Sequence, residues 1–454
     1  MTLWRLRCAA ILLALASIPA YAAKPMVAAG EEHSFGIKSD GTLWAWGSNS
    51  YGQLGDGTIN SRNTPVQALG TGFIAVETGT YFSVGLKTDG SVWTWGANNY
   101  GQLGNGSHID HADPKQVATG FSAIAAGSNH VLALATDGSL WAWGRNLYGQ
   151  LGDNSTTDRT SPVQIGSGYS AIAAGGNHSL AIKTDGSLWA WGYNLSGQIG
   201  DGSTTNRSRP VSVGSGFSAV AGGGNHSLAI KTDGALWAWG NNTSSELGDG
   251  TSTKRLSPVL VGTGFTAVAA GGFHSLGLRS DGSLWAWGSN ASGQVGDSSI
   301  STQSLTPIQI GSGFAAIAAG TSHSLAVKAD GSVWAWGRNA YSQLGLGNNT
   351  NKSTPTQVLG QGGSGLLNLG ITATPTQTSC LLNWAEGAYP QYFTPAGAPS
   401  RVLGTFTYRY YASSSTYLGL SSADQHFYYL GPLTANQLSD LGLLDTWLST
   451  AGCL

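Results

Sequence analysis

The chain has 454 residues, of which only 10% are charged and 68 are glycine, and its formal net charge is −2. This balance offers no bulk electrostatic attraction to nucleic acid or to an anionic membrane, so neither is expected as a partner. The hydrophobic content of 41% is enough to bury a large core, which excludes a chain that is disordered throughout.

The first 22 residues have the features of a secretory signal peptide. Arg5 and Arg7 give a positive start, CAAILLALASI is apolar, and A-Y-A at residues 20–22 fits a cleavage site. A membrane anchor is the weaker alternative, because the apolar run is shorter than the ~20 residues of a span. We expect cleavage before Ala23, a mature chain without a membrane span, and a location that is secreted, periplasmic or at the cell surface.

Residues 23–360 contain seven copies of one unit, each marked by the motif W-x-W-G. The motif recurs every 48 or 49 residues and holds 14 of the 17 tryptophans. Its copies start at Trp44, Trp93, Trp141, Trp189, Trp237, Trp285 and Trp334. A fixed period of this length indicates a repeat architecture.

Each unit is predicted to form four short strands. In the fourth copy these are YSAIAAG, HSLAIK, SLWAWG and RPVSV, with a D-G turn between the second and third. Alternation along a strand places Trp141 and Trp143 on one face of the sheet and Leu140 and Ala142 on the other. Both faces are apolar, so each sheet must be covered on both sides.

A closed ring satisfies this requirement, because the large face of each sheet can meet the small face of its neighbour. The sequence therefore predicts an all-β, seven-bladed β-propeller of four-stranded blades. An open solenoid is the alternative, but it would leave a tryptophan face exposed at its end.

The repeat AAGxxHSLAL…DGxLWAWGxNxxGQLG resembles that of the regulator of chromosome condensation family, whose domain is a seven-bladed propeller. The resemblance covers residues 26 to about 360. The chain departs from the pattern at Phe82, at Ser245 and Glu246, and at Ser342. The family includes a nucleotide-exchange factor for a small nuclear GTPase, a plant ultraviolet photoreceptor and a secreted β-lactamase inhibitor. The resemblance thus implies partner binding, and the signal peptide speaks against a nuclear exchange role.

A histidine recurs at one position in six of the seven repeats. A metal-binding or catalytic ring is one interpretation, but symmetry makes each histidine face its own blade, so we expect a hydrogen-bonding strap within the turn. The repeated aspartate before glycine is explained by turn chemistry. No nucleophile–base pair, metal-ligand spacing or phosphate loop stands out, so no enzymatic activity, metal or cofactor is predicted.

Function is expected where the repeats differ. If the strands form a meander, loops 1–2 and 3–4 lie on one face of the disc, and these loops vary most in sequence. Exposed aromatic residues and arginines are common anchors of protein interfaces. The candidates for binding a partner are Glu31, Glu32, Tyr81, Phe82, Arg145, Tyr193, Phe273 and Arg338. We expect a monomer that binds an extracellular or envelope protein, although neutral drift of single loop residues is an alternative.

The repeat ends at a Gly/Ser/Thr-rich linker over residues 361–378, and residues 379–454 are predicted to form a small α+β module. Helices are expected near residues 379–390 and 434–453, with aromatic-rich strands between them. Removal of Cys8 with the signal leaves Cys380 and Cys453, which suit one disulfide in an exported protein. A tyrosine-rich surface on this module gives the alternative function, a glycan-binding or cell-wall-attachment protein.

Overall fold

The computed structural model describes residues 26–370 in full and, between residues 401 and 443, the backbone of five further strands. The first unit ends at Leu369 and consists of seven four-stranded sheets. In each sheet, four consecutive strands pair antiparallel in chain order. The predicted all-β propeller with seven four-stranded blades is confirmed.

The blades follow one another along the chain. Blade 1 contains β1 (Met26–Ala29), β2 (His33–Ile37), β3 (Leu43–Gly47) and β4 (Arg62–Gln67). Blade 2 contains β5 (Phe73–Thr78), β6 (Phe82–Lys87), β7 (Val92–Gly96) and β8 (His111–Ala118). Blade 3 contains β9 (Phe121–Ala126), β10 (His130–Ala135), β11 (Leu140–Gly144) and β12 (Arg159–Gly166). Blade 4 contains β13 (Tyr169–Ala174), β14 (His178–Lys183), β15 (Leu188–Gly192) and β16 (Arg207–Gly214).

The remaining blades keep the same order. Blade 5 contains β17 (Phe217–Gly222), β18 (His226–Lys231), β19 (Leu236–Gly240) and β20 (Arg255–Gly262). Blade 6 contains β21 (Phe265–Ala270), β22 (His274–Arg279), β23 (Leu284–Ser289) and β24 (Gln303–Gly311). Blade 7 contains β25 (Phe314–Ala319), β26 (His323–Lys328), β27 (Val333–Gly337) and β28 (Lys352–Gln357), and a short 3-10 helix follows at Gln361–Gly363.

The core lies between the blades. Trp143 of blade 3 packs with Val84 and Leu103 of blade 2, while the opposite face of blade 3, with Ala142, packs against Trp191 of blade 4. The second tryptophan of every W-x-W-G motif is fully buried in this way: Trp46, Trp95, Trp143, Trp191, Trp239, Trp287 and Trp336. Large faces therefore meet small faces around the whole ring, as the alternation predicts.

The first tryptophan of each motif has different surroundings, although it shares a face with the second. Trp189 is partly buried, its indole N–H donates to Ser187 Oγ at 3.0 Å, and Lys183 lies over its ring at 4.3 Å. This residue covers the edge of the core near the turn that joins the second and third strands.

The glycines of the G-Q-L-G segment allow the buried tryptophan to approach the preceding blade. Gly104 has φ +70°, and a Cβ there would lie 2.6 Å from Trp143 Nε1. Any side chain at residue 104 would therefore both strain the backbone and displace the indole.

The repeated histidine joins neighbouring blades. His178 Nε2 of blade 4 lies 2.9 Å from Ser227 Oγ of blade 5, and Ser227 donates to the carbonyl of Gln198 at 2.8 Å. Trp239 Nε1 donates to the same carbonyl at 2.9 Å. Because the serine proton is directed to Gln198, the histidine donates from Nε2. Its buried Nδ1 has no hydrogen-bond partner among the described residues, and burial lowers the pKa of His178 to about 4, so the ring is neutral at pH 7. We call this arrangement the junction.

Six of the seven blade interfaces contain the junction. The pairs are His33 with Ser83, His130 with Ser179, His178 with Ser227, His226 with Ser275, His274 with Ser324, and His323 with Ser34. The expected strap within the turn is thus replaced by a bond to the next blade, because the ring places each imidazole against that blade's serine.

The interface between blades 2 and 3 is the exception. Phe82 stands at the histidine position and Val131 at the serine position, and both are fully buried in one apolar cluster. Trp143 still donates to the Gln102 carbonyl at 3.0 Å. Both members of the polar pair are therefore replaced together by an apolar pair.

We expect Phe82→His and Val131→Ser each to destabilise the ring by about 2–3 kcal/mol, because each leaves a buried polar group facing an apolar one. The double variant restores a junction and should recover at least about 1 kcal/mol of the summed loss. Urea unfolding of the four proteins measures this coupling. Strictly additive losses would show that the two positions do not act as a pair.

The ring is closed by a segment that follows the last blade. In blades 2 to 7, the N–H of the aromatic residue that begins the first strand donates to a turn glycine of the preceding blade, as Phe73 does to Gly41. At the closure, Leu369 N donates to the Gly331 carbonyl at 2.9 Å and Ser39 N to the Leu369 carbonyl at 2.8 Å. Residues 361–369, which were expected to be linker, thus belong to the propeller.

The closing segment also completes the core between blades 7 and 1. Leu367 and Leu369 are 3% and 1% exposed and pack with Val27, Trp46 and Leu325, whereas Leu366 is 55% exposed. Leu369 therefore takes the place of the missing aromatic residue of blade 1.

The second unit contains an antiparallel sheet of five strands in chain order: β29 (Arg401–Leu403), β30 (Phe406–Tyr411), β31 (Thr416–Ser421), β32 (His426–Leu430) and β33 (Leu438–Leu443). Residues 438–443 were expected to be helical but pair with β32, and Gly442 disfavours a helix at this point. The other predicted helix, Cys380 and Cys453 lie outside the described residues, as does the signal peptide.

Candidate functional site

The variable loops share one face of the disc, which we call the loop face. It carries loops 1–2 and 3–4 of every blade, because the strands of each blade form a meander. Around the central channel, loops 1–2 are linked by backbone hydrogen bonds between blades, such as Ser128 N to Gly176 O at 3.1 Å and Thr321 N to Gly30 O at 3.1 Å. The loop face is therefore built on a rigid rim.

Loop 3–4 is long but well ordered. In blade 3, the buried Asn146 donates from Nδ2 to Asp153 at 3.0 Å and to the Thr157 carbonyl at 3.1 Å, and it accepts from Leu151 N at 2.9 Å. Asp153 also forms a 2.6 Å ion pair with Arg159. Side chains on this loop are thus held in fixed positions, which lowers the entropic cost of binding.

Part of the candidate set forms one cluster at blades 7, 1 and 2. Tyr81 stacks on Tyr51 with ring centroids 5.0 Å apart, and Arg338 lies 5.2 Å from the ring of Tyr341. Tyr341 lies near the Glu32 carboxylate and acts to lower its pKa. With Glu31, these six residues form what we call the acidic–aromatic cluster: Glu31, Glu32, Tyr51, Tyr81, Arg338 and Tyr341.

Negative charge dominates this cluster. Burial and then the charge of Glu31 raise the pKa of Glu32, although Arg338 and Tyr341 act in the opposite direction. Burial and then the charges of Glu31 and Glu32 raise the pKa of Tyr81. The cluster therefore holds two carboxylates flanked by tyrosine rings, a combination that suits a cationic contact, but Glu32 is only 8% exposed and Glu31 is the more accessible of the two.

A second cluster covers blades 2, 3 and 4. Arg145 lies 4.6 Å from the ring of Tyr100, and Tyr148 and Tyr193 have centroids 4.7 Å apart. Leu147 beside them is 52% exposed. Arg145 and Tyr193 thus each contact a tyrosine of an adjacent blade, Tyr100 and Tyr148 respectively.

At one position of loop 3–4, tyrosine is confined to four consecutive blades of the ring. The fourth residue after the glycine of W-x-W-G is tyrosine in blades 7, 1, 2 and 3 and serine in blades 4, 5 and 6. These residues are Tyr341, Tyr51, Tyr100 and Tyr148, and then Ser196, Ser244 and Ser292. A regular scaffold therefore carries an irregular surface, which we call the tyrosine arc.

Seven of the eight candidates predicted from sequence fall into three groups. Glu31, Glu32, Tyr81 and Arg338 come together, Arg145 and Tyr193 join the second cluster, and Phe273 is 45% exposed in blade 6.

Phe82 was expected on the surface but is fully buried, because it is the first residue of β6 and fills the histidine position of the junction. Tyr51, Tyr100, Tyr148 and Tyr341 were missed, although their recurrence at one repeat position was visible in the sequence.

The histidine–serine pairs of the junctions are not suited to nucleophilic catalysis. Both partners are fully buried, the serine proton is committed to a backbone carbonyl, and burial lowers the pKa of His226 to about 3. Within residues 26–370, no three or more His, Cys, Asp or Glu side chains are grouped so that they could hold a metal ion. Nor does the described part of the chain contain a helix long and apolar enough to cross a bilayer.

The family model described as the RCC1-like domain matches residues 15–297 and 171–382. No curated protein matches the chain. Among solved structures, yeast RCC1 (Prp20) in its complex with Kap60 is 21% identical, with a TM-score of 0.65 over 75% of this chain and 85% of that one. Human WBSCR16 is 24% identical, with a TM-score of 0.63 over 71% of this chain and 96% of that one. These likenesses concern the fold.

Proposed function

We infer that this chain, which belongs to the RCC1-like domain family, binds a partner protein through the tyrosine arc of its loop face. The observation that carries the proposal is the confinement of tyrosines to four of seven equivalent positions. The fold alone requires no such asymmetry, since serine fills the same position in blades 4 to 6. Tyrosine and arginine are the residues that most often anchor protein interfaces.

The relatives support a binding role in a general way. Yeast Prp20 has been crystallised with Kap60 bound, and a second structure of Prp20p from Saccharomyces cerevisiae is described with its binding properties to Gsp1p and histones. We do not transfer those partners. The predicted signal peptide favours an extracellular or envelope protein, and the low charge of the chain favours recognition by shape and aromatic contacts.

The test is affinity capture with a matched control. The chain beginning at Ala23 is immobilised and exposed to extracellular and envelope fractions. A triple variant with Tyr51, Tyr100 and Tyr341 changed to alanine is treated in parallel. We expect the captured protein to bind the triple variant at least about tenfold more weakly, since interface tyrosines commonly contribute more than 1 kcal/mol each.

The control replaces Ser196, Ser244 and Ser292 with alanine at the equivalent positions of the serine half. It should capture the partner as the unmodified chain does, and both triple variants should keep the thermal midpoint. Equal capture by the tyrosine variant, or retention of glycan alone, would contradict the proposal and favour the alternative of attachment through residues 379–454.

A further inference from the structure

The centre of the propeller is a channel that opens on the loop face. It encloses a cavity of about 350 Å³, lined by the first strand and loop 1–2 of all seven blades. Most of the lining is alanine, glycine, valine and isoleucine. Only Glu31 and Glu77 among the lining residues are charged, and they belong to neighbouring blades.

Glu77 departs from the repeat at a position where the other blades agree. The first strand pairs with the second in one register throughout, and the residue equivalent to Glu77 is alanine in all six other blades: Ala28, Ala125, Ala173, Ala221, Ala269 and Ala318. Alanine is sufficient for packing there, so the carboxylate is not required by the ring.

The Glu77 carboxylate has no hydrogen-bond or ion-pair partner among the described residues, and its exposed surface faces the channel. The surrounding ring desolvates it and raises its pKa to about 7. An enclosed carboxylate without a partner is destabilising at neutral pH unless a cation joins it.

The surroundings favour an organic cation over a metal ion. Two carboxylates on separate blades fall short of the six or more oxygen ligands of a hard cation. The alanine, valine and isoleucine side chains of the lining can contact an alkyl chain, although polar atoms form the larger part of the exposed wall. The cavity lies within the size range of small-ligand sites. Glu77 lies two residues before Gly79 of loop 1–2, which places it about 7 Å below the rim of the channel. An alkyl chain of four carbons is long enough to reach this depth from the loop face.

We propose that the channel binds an organic cation, an ammonium or guanidinium group on a short alkyl chain, which pairs with Glu77 inside the channel and Glu31 at its rim. The site goes beyond the tyrosine arc and stands even if the arc binds no protein. Its ligand is either a free amine or a lysine or arginine side chain presented by a partner.

The test is calorimetric titration of the full chain with n-butylammonium at pH 8, with 1-butanol as the uncharged counterpart. We expect butylammonium to bind with a Kd of about 1 mM or tighter, and butanol at least about tenfold more weakly. Affinity should fall as the pH drops below 7, because protonated Glu77 cannot form the ion pair.

Glu77→Gln should weaken butylammonium binding at least about tenfold and abolish its pH dependence near 7. Glu77→Ala, which gives blade 2 the residue of the other six blades, serves as the second variant if the first is poorly folded. Asp113→Asn, at an exposed carboxylate paired with Lys115 on β8, is the control and should bind as the unmodified chain does.

A capped peptide with one central lysine distinguishes the two sources. Tighter binding of the peptide than of butylammonium assigns the site to a partner's side chain, and the reverse assigns it to a free amine. Absence of butylammonium binding at pH 8, or binding by both Glu77 variants as tight as by the unmodified chain, would overturn the inference. Loss of partner capture with butylammonium binding intact would overturn only the proposed function.

Discussion

Acidification from pH 6 to pH 4 is expected to unfold the propeller, because six buried histidines must take up protons when it opens. Burial lowers the pKa of His178 to about 4 and of the other five, His33, His130, His226, His274 and His323, to about 3. Neighbouring histidines make a smaller contribution at His130, His226, His274 and His323. The ordinary value is 6.5. The folded state thus binds fewer protons than the unfolded state between these limits.

The direction follows from the linkage of protons to folding. The stability contributed by these histidines is fully present above pH 6.5 and is lost as the pH falls toward 3. Each histidine changes the free energy of unfolding by up to about 1.4 kcal/mol per pH unit, so six give a slope of up to about 8 kcal/mol per pH unit. A domain whose free energy of unfolding is about 5–15 kcal/mol is therefore expected to unfold when the pH falls by two units at this slope.

Urea unfolding at pH 8, 6, 5 and 4, followed by tryptophan fluorescence, measures the slope. The control is His226→Phe combined with Ser275→Val, which copies the apolar pair found between blades 2 and 3. This variant should fold and show a slope smaller by about one proton. Uptake of fewer than about two protons on unfolding at pH 5 would contradict the assignment of neutral histidines to the junctions.

Opening the ring at its closure is expected to have the second largest effect. Leu367→Ala together with Leu369→Ala should lower the free energy of unfolding by about 4–8 kcal/mol. Each substitution removes a buried leucine from the interface between blades 7 and 1, which are not consecutive in the chain. Leu369 also occupies the place of an aromatic residue against blade 1, where its side chain contacts Gly36.

Leu366→Ala is the matched control, since Leu366 is exposed in the same segment. It should change the free energy of unfolding by less than about 0.5 kcal/mol. Hydrogen exchange should show faster amide exchange in blades 1 and 7 of the double variant than in blade 4. Losses of similar size in the double variant and the control would show that the segment does not close the ring.

The sequence was most informative where structure is local. The segment HSLAIK forms β14 with the predicted bounds, and alternation correctly places Trp141 and Trp143 on one face, because the period of a strand is set by its backbone. Contacts between residues of neighbouring blades were harder to infer. The partner of His178 is Ser227, 49 residues on, and only ring closure brings them together.

A signal for this contact was nevertheless present. The one blade that lacks the histidine, at Phe82, is followed by the one blade that lacks the serine, at Val131. The closing segment was harder to predict, because Leu367 and Leu369 lie in a Gly-rich stretch with no periodicity. Glu77 was missed because a single carboxylate in an apolar strand gives no pattern, and its meaning appears only beside six alanines.

The composition of the junction bears on how the binding specificity of such a propeller can change. Its groups are an imidazole, a hydroxyl, an indole N–H and a main-chain carbonyl, and none of them comes from the loop positions that carry Arg145, Tyr148 or Tyr193. A substitution at those positions leaves the hydrogen bonds of the junction intact. Recognition can therefore be altered in the loops of single blades while the junctions continue to hold the ring together.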